Sequence, residues 1–268
     1  MRSYWLSNWG PKLRTLVRTR QRINNWPTAV AMRCCPGWQG LRLLHFRSGL
    51  NLVCRGGTQD WEVVAELAIN DGYILAFDHL RRQTGQPLVL DLGANIGVFS
   101  LLAALRSPTA VIHAFEPAPA NIRMLELHRL ANASLASRIQ LHPEAVGGVT
   151  RMADFLYDER NPQASRLESG SSSVFRVQIR ALAEILSTLT MPVALLKMDI
   201  ECAEYEVIQH TPDHIWNDIM AVSVELHPNP NGTYQAQDFL KRMRELGFQT
   251  IVAEKVPGCF FICRQQTR

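Results

Sequence analysis

Leu88-Val89-Leu90-Asp91-Leu92-Gly93-Ala94-Asn95-Ile96-Gly97 is an apolar run that ends in an acid and enters a turn framed by two glycines. Val98, Phe99, Leu101, Leu102 and Leu105 then recur at helical spacing. A buried strand, a glycine turn and a helix in that order open a doubly wound α/β fold. Glycine at such a turn admits backbone angles that other residues avoid and lets a ligand approach the main chain. Gly93 and Gly97 enclose three residues, whereas a dinucleotide fingerprint needs G-x-G-x-x-G. The spacing therefore disfavours a nicotinamide or flavin dinucleotide and favours a smaller nucleoside-type cofactor.

Outward from this turn, strands and helices alternate. Strands are predicted at Leu88–Asp91, Val111–Glu116, near Ile139–Leu141, at Val193–Asp199 and at Ala221–His227. Helices follow the second strand through Leu130 and start again at Cys202. A last helix spans about Gln235–Leu246 and stops at Gly247, a residue suited to a left-handed C-terminal cap. Phe248–Val252 and Phe260–Cys263, joined through Pro257-Gly258, predict a closing hairpin. The alternation implies a mostly parallel sheet with one antiparallel strand. Before it, Leu41–Phe46 and Leu50–Cys54 predict two short strands around Ser48-Gly49. Asp60 or Thr58 is the expected N-cap of a helix holding Val63, Val64 and Leu67. Asn161–Ser173, rich in Ser, Gly and Asn, is expected to be a long loop acting as a lid.

The chain of 268 residues suits one α/β domain, residues 41–268, preceded by a basic extension, residues 1–40. A hydrophobic fraction of 47% excludes general disorder, and no run approaches the roughly 20 apolar residues of a membrane span. The opening residues lack a continuous apolar core, so no cleaved signal peptide is expected. Six cysteines without a C-x-x-C pair read as small buried residues of a reducing compartment, and the expected location is cytoplasmic. The net charge of +4 hides an asymmetry: residues 1–59 carry Lys12, nine arginines and no acid, leaving −6 for the rest. Trp5, Trp9, Trp26 and Trp38 share that segment. Tryptophan beside arginine suits an anionic membrane surface, with residues 1–26 as the contact, at the inner face of the membrane. The alternative is a helical extension that packs its tryptophans on the core.

Three strand ends carry the chemistry. Phe115-Glu116-Pro117 places an acid 25 residues past Asp91, where it can accept hydrogen bonds from both hydroxyls of a ribose. Lys197-Met198-Asp199-Ile200-Glu201 ends the next strand in charge, and burying Lys197 and Asp199 on one strand face demands pairing or a cleft. Glu201 and Glu204 are expected in the first turn of the following helix, where a macrodipole favours acids. Glu225 and His227 share a face of the strand beyond. His227 is the preferred candidate for general base, with Asp199 or Glu201 next. Asp199, Glu225 and His227 offer donors for a divalent cation, but no spacing requires one, and no metal is expected.

At these positions the chain resembles the FkbM-type methyltransferases, a class I family dependent on S-adenosylmethionine. The resemblance covers about residues 45–255. It includes Arg55-Gly56-Gly57-Thr58-Gln59-Asp60, the Asp91–Gly97 turn, Phe115-Glu116-Pro117, Lys197-Met198-Asp199-Ile200-Glu201, and Glu225 with His227. Cys202 departs from the glycine usual in the family after that Glu. The resemblance implies a doubly wound, mostly parallel seven-stranded sheet with helices on both faces. It also implies S-adenosylmethionine held by Asp91, Gly93, Ala94, Asn95 and Gly97 at its methionine end, by Glu116 and Pro117 at its ribose, and near Ala145 at its adenine, with Asp199 beside it.

Oxygen is the expected methyl acceptor. Enzymes that methylate amide or base nitrogens carry an Asn/Asp-Pro-Pro-aromatic motif where this chain has Asp199-Ile200-Glu201-Cys202. The resemblance implies a small-molecule, glycan, glycolipid or lipid-linked glycan acceptor, with His227, Asp199, Glu225 and Glu201 as the catalytic set. Two alternatives stand beside it. One is RNA methylation, disfavoured because the basic segment lacks an aromatic platform pattern. The other is a non-catalytic scaffold that binds a partner through its N-terminal segment.

Overall fold

The computed structural model describes residues 13–35, 37–157, 173–228 and 235–264. Residues 13–22 are helical, a second helix spans Trp26–Cys34, and an antiparallel hairpin follows, β1 (Leu41–His45) with β2 (Asn51–Arg55). The central sheet comprises β3 (Leu88–Leu92), β4 (Val111–Phe115), β5 (Ile139–His142), β9 (Val193–Met198), β10 (Ala221–Glu225), β11 (Thr250–Ala253) and β12 (Cys259–Cys263). Its order is β11-β12-β10-β9-β3-β4-β5, and β12 alone runs against its neighbours. This is the expected doubly wound, seven-stranded, mostly parallel sheet.

Every residue of β3 and β9 is buried, as expected for parallel strands covered on both faces. Successive side chains alternate between two apolar layers: Val89, Ile112 and Leu195 face one, while Leu88, Leu90, Leu196 and Met198 face the other. β4 lies on one side of β3 and β9 on the other, so the chain reverses its direction of winding at β3. A crevice opens at that switch point, outside the carboxyl ends of the strands, where open α/β sheets bind ligands.

A second sheet went unread in the sequence. β6 (Ala145–Gly147), β7 (Arg151–Tyr157) and β8 (Ser173–Ala181) form a three-stranded sheet with β8 in the middle. Its signal was present in β8, where buried Val177, Ile179 and Ala181 alternate with Arg176, Gln178 and Arg180. The expected lid at Asn161–Ser173 lies outside the described residues up to position 172, and Ser173 already belongs to β8.

The expected N-cap at Asp60 or Thr58 is corrected, because Gln59 occupies that position. Asp60 is the first residue of the helix Asp60–Val64, and Thr58 Oγ1 accepts its backbone N–H at 3.2 Å. The Asp60 carboxylate instead faces Arg55, whose Nε and Nη2 donate to Oδ2 and Oδ1 at 2.9 and 2.8 Å. The N-terminal arm packs on the domain: Arg22 pairs bidentately with Asp71 at 2.7 and 2.9 Å, and Trp26 and Trp38 rest on the core. Thus the packing alternative holds for those two tryptophans, whereas Trp5 and Trp9 lie outside the described residues.

Candidate active site

A cavity of about 470 Å³ occupies the switch-point crevice. Its walls include Gly93, Ala94, Asn95, Glu116, Pro117 and Ala145, all expected to hold the cofactor, and Asp199, Glu201, Glu225 and His227, all expected to catalyse. Four strand ends and the glycine turn therefore converge on one space.

Gly93 has φ +75°, and a Cβ there would approach the Asp199 carbonyl oxygen to 1.8 Å. Glycine is required at this position because the turn presses directly on the end of β9. Asn95, with φ +51°, donates its backbone N–H to Glu116 Oε2 at 2.8 Å. Glu116 Oε1 accepts from Ala118 N at 2.9 Å and from Asn121 Nδ2 at 3.3 Å. Burial raises the Glu116 pKa, and these hydrogen bonds oppose the rise. The network extends outward, because Arg55 Nη2 donates to Asn121 Oδ1 at 2.9 Å. The Arg55–Asp60 pair thereby props the acid at the end of β4 through Asn121, a residue the sequence reading missed.

Two expected cofactor residues do not reach the cavity. Asp91 is fully buried on the sheet face covered by the helix Val98–Arg106, where Ser100 Oγ donates to its Oδ2 at 2.6 Å. Lys197, its partner in the β3–β9 register, places Nζ 3.3 Å from Asp91 Oδ1, an ion pair without a well-directed hydrogen bond. Lys197 also donates to Gly93 O at 2.6 Å and lies 3.4 Å from Asp199 Oδ2. Burial alone would lower the Lys197 pKa, but the Asp199 and Asp91 charges outweigh it and raise it. Gly97 likewise serves packing: at φ +84° it starts the helix, and a Cβ there would meet Leu125 Cγ at 2.6 Å. Both residues shape the turn, and Gly93, Ala94 and Asn95 between them line the cavity.

Two residues past the end of β10, His227 stands at the centre of an acidic ring. Its Nδ1 lies 3.1 Å from Oε1 of Glu204, which is fully buried. Its Nε2 lies 3.5 Å from Glu201 Oε2 and 3.9 Å from both Asp199 Oδ1 and Glu225 Oε1. Tyr205 fixes the segment by donating its hydroxyl to His227 O at 2.8 Å. Burial alone would lower the imidazole's pKa, yet the Glu204 hydrogen bond and the Glu204, Asp199 and Glu201 charges raise it to about 9. Such a histidine is already protonated at neutral pH. The expectation that His227 is the base is therefore corrected for this state, because no vacant nitrogen remains to accept a proton.

Burial raises Glu201 to about 8 against the pull of His227, and burial with the nearby Asp199 charge raises Glu225. Two further residues join them that the sequence reading missed. Glu66 lies on a π-helical turn, Ala65–Ile69, and burial with the Glu225 and Asp199 charges pushes it up to about 7. Tyr73 donates its hydroxyl to Glu225 Oε2 at 3.2 Å. A π turn offsets the helix face by one residue and often marks a functional site, which is the signal that could have found Glu66 only in three dimensions.

The helix expected from Cys202 begins at Glu204, and Glu201 and Cys202 precede it in a left-handed turn with φ +53° and +78°. Glu201 thus faces the cavity from a turn, not from the first turn of the helix. Glu204 does lie in that first turn, with Oε1 accepting Ile200 N at 2.9 Å. Cys202 adopts a conformation in which a Cβ costs about 1–2 kcal/mol. Cys202→Gly is therefore expected to raise unfolding stability by about that amount, less any gain in unfolded-chain entropy. Urea denaturation measures it, and a lower midpoint would show that the thiol contact to Pro228 O, at 3.4 Å, matters more.

A glycine-turn strand end, a buried acid after the next strand and a polar cavity at the switch point are the arrangement of the class I methyltransferase fold. The model of the methyltransferase FkbM domain matches residues 91–250, and the chain belongs to that family. It is 31% identical over 162 residues to Methyltransferase 1 of Beauveria bassiana, across 52% of this chain and 64% of that protein. It is 28% identical over 199 residues to the 31-O-demethyl-FK506 methyltransferase FkbM of Streptomyces tacrolimicus, across 63% and 75% of the two chains. The chain thus spans a little under two thirds of the Beauveria protein. A crystal structure of methyltransferase FkbM from Methylobacillus flagellatus superposes with a TM-score of 0.47 at 13% identity, over 88% of this chain and 59% of the other. The Arg55–Asp60 motif and the hairpin lie outside the matched span.

The buried Glu116 carboxylate and the close-packed Gly93 turn line the cavity together and fit S-adenosylmethionine, for which Glu116 is the expected ribose partner. Glu116→Ala is expected to weaken S-adenosylmethionine binding by about 1–3 kcal/mol, the usual cost of losing hydrogen bonds to a charged group. Calorimetry reads this, with Glu116→Gln as the variant that retains one acceptor. Unchanged affinity in both folded variants would remove Glu116 from the site.

Proposed function

We propose that the enzyme transfers a methyl group to a hydroxyl of a glycan, a lipid-linked glycan or another natural product. The observation that carries this reading is the convergence of Asp199, Glu201, Glu225 and His227 on the cavity that holds the glycine turn and Glu116. S-adenosylmethionine, when bound, supplies an electrophilic methyl carbon whose bond to sulfur breaks with the electron pair returning to sulfur. The chain's residues must align an oxygen behind that carbon and receive its proton. Glu225 is assigned as proton acceptor, since burial and Asp199 raise its affinity for protons while Tyr73 holds it in place. His227 orients the surrounding carboxylates from the centre of the ring.

The name of the Streptomyces relative, a 31-O-demethyl-FK506 methyltransferase, specifies an oxygen, which supports oxygen as the acceptor here. The carboxylates lining the cavity would repel phosphates, which weighs against RNA. The test is labelled methyl transfer to extracted glycolipids, polysaccharides and polyhydroxylated natural products. Transfer to RNA alone, by enzyme that binds S-adenosylmethionine, would overturn the reading.

The N-terminal arm is proposed to touch anionic membranes, bringing the cavity to a lipid-linked acceptor. On the helix at residues 13–22, Leu13, Leu16 and Val17 are 58%, 43% and 48% exposed, with Arg14 and Arg20 also exposed. Each basic side chain near such a surface contributes about 1 kcal/mol. Among the described residues no helix is long and apolar enough to cross a membrane, so the contact would be peripheral. Flotation should recover the full chain with anionic but not neutral liposomes. Equal recovery with both, or no loss when Arg14, Arg18 and Arg20 become Gln, would sink the idea.

A further inference from the structure

We propose that Asp199, Glu201 and His227 bind one divalent cation of the magnesium–manganese class, which holds two adjacent oxygens of the acceptor. This rests on the reading of the protein as a methyltransferase acting on a hydroxyl.

Geometry comes first. One donor atom from each of the three residues lies within 4.8 Å of the other two. His227 Nε2 is 3.5 Å from Glu201 Oε2 and 3.9 Å from Asp199 Oδ1. Adjacent donors around an octahedral ion with bonds near 2.1 Å lie about 3.0 Å apart. Binding therefore needs the three donors to close by less than about 2 Å, and by less than about 1 Å for the two pairs that include His227. Glu201 stands on a turn and Asp199 just beyond its strand, so small side-chain rotations suffice.

A second observation is independent of that spacing. Glu204 grips the other nitrogen of His227 from a fully buried position, and its Oε2 is buried with no hydrogen-bond partner. A carboxylate behind a histidine fixes the ring and aims the opposite nitrogen, which gives up its proton when a metal ion binds, the usual support of a metal-ligating imidazole. Here that nitrogen faces the carboxylates of Glu201, Asp199 and Glu225 at 3.5–3.9 Å. The charge balance agrees. Asp199, Glu201, Glu204, Glu225 and Glu66 bring five carboxylates together, and Lys197, itself engaged by Asp91, is the only lysine or arginine on the cavity wall among the described residues.

The donor set selects the ion and the acceptor. One imidazole and two carboxylates, without a thiolate, suit a hard or borderline divalent ion. Three protein ligands on one side leave up to three positions open toward the cavity. Two adjacent oxygens can fill them as a chelate, so the acceptor class is a vicinal diol or a hydroxyl beside a carbonyl. Coordination polarises the acceptor O–H bond. Its proton passes to Glu225, and the oxygen lone pair forms the new bond to the methyl carbon as the carbon–sulfur bond breaks.

Manganese titration of the full chain after chelator treatment tests the site without turnover, by calorimetry and by the Mn²⁺ electron paramagnetic resonance signal. One ion per chain should bind. Affinity should fall at least tenfold in Glu201→Gln and His227→Ala, and about 10–100-fold in Glu204→Gln, which acts through the ring. Circular dichroism and S-adenosylmethionine binding report whether each variant is folded. Absence of Mn²⁺ binding by folded wild-type protein, or unchanged affinity in folded Glu201→Gln and His227→Ala, would overturn the proposal. Methyl transfer to a hydroxyl at full rate in chelator would overturn the metal's role and leave the acceptor reading intact. Specific Mn²⁺ binding with transfer to no hydroxyl acceptor would support the site and overturn that reading instead.

Discussion

Glu225→Gln is expected to lower turnover by about 10²–10⁴-fold, the range for removing a positioned general base. Glutamine keeps the size of the side chain and can still accept the Tyr73 hydroxyl now 3.2 Å from Oε2. It cannot take up the acceptor's proton. Because Glu225 lies on β10, across the cavity from the glycine turn and Glu116, affinity for S-adenosylmethionine should stay within about twofold of wild type. Single-turnover measurements separate the chemical step from binding. Turnover within tenfold of wild type in a folded variant would return the proton to Asp199 or Glu201 and leave alignment as the main source of rate. His227→Ala should also lower turnover, since it removes the group around which Asp199, Glu201 and Glu225 gather at 3.5–3.9 Å.

Lys197→Met is expected to destabilise the fold by about 3–5 kcal/mol, because it strands a charge in the core. The Asp91 side chain is fully buried and Lys197 is 4% exposed, so neither has water to fall back on. Removing the ammonium leaves Asp91 with Ser100 as its remaining partner and frees the Gly93 carbonyl it held at 2.6 Å. The glycine turn should loosen, and S-adenosylmethionine affinity should fall together with stability. Adding Asp91→Asn to Lys197→Met removes the stranded charge and should recover part of the stability but not the affinity. Urea unfolding with calorimetry distinguishes these outcomes. A loss below about 1 kcal/mol would mean that the pair is already solvated by structural water and does not anchor the turn.

Much of the architecture was legible because its signals are local. Apolar runs ending in Asp91, Glu116, Asp199 and Glu225 are short, largely buried strands followed by turns, and they announced the parallel sheet. The strands end one or two residues earlier than expected: Glu116 and Asp199 follow the last strand residue, and His227 is two beyond it. That displacement lets their side chains leave the sheet and reach the crevice. The three-stranded sheet was overlooked because β7 and β8 pair across a polar segment rich in Ser, Gly and Asn, which outweighed the alternation in β8.

The sequence by itself determined the order of elements, the glycine turn and the set of charged residues at the strand ends. Those follow from hydrophobic period and backbone preference, which act over a few residues. Only the tertiary structure decided what each charge does. Asp91 and Lys197 face one another because β3 and β9 are neighbours in register, so a residue expected at the ligand became a buried anchor. Glu66 and Glu204 entered the site from elements far apart in the chain, and the Glu204 carboxylate, with Asp199 and Glu201, turned His227 from an expected base into a charged centre. Coulomb interactions and desolvation depend on distances between residues remote in sequence, and those distances exist only once the chain has folded.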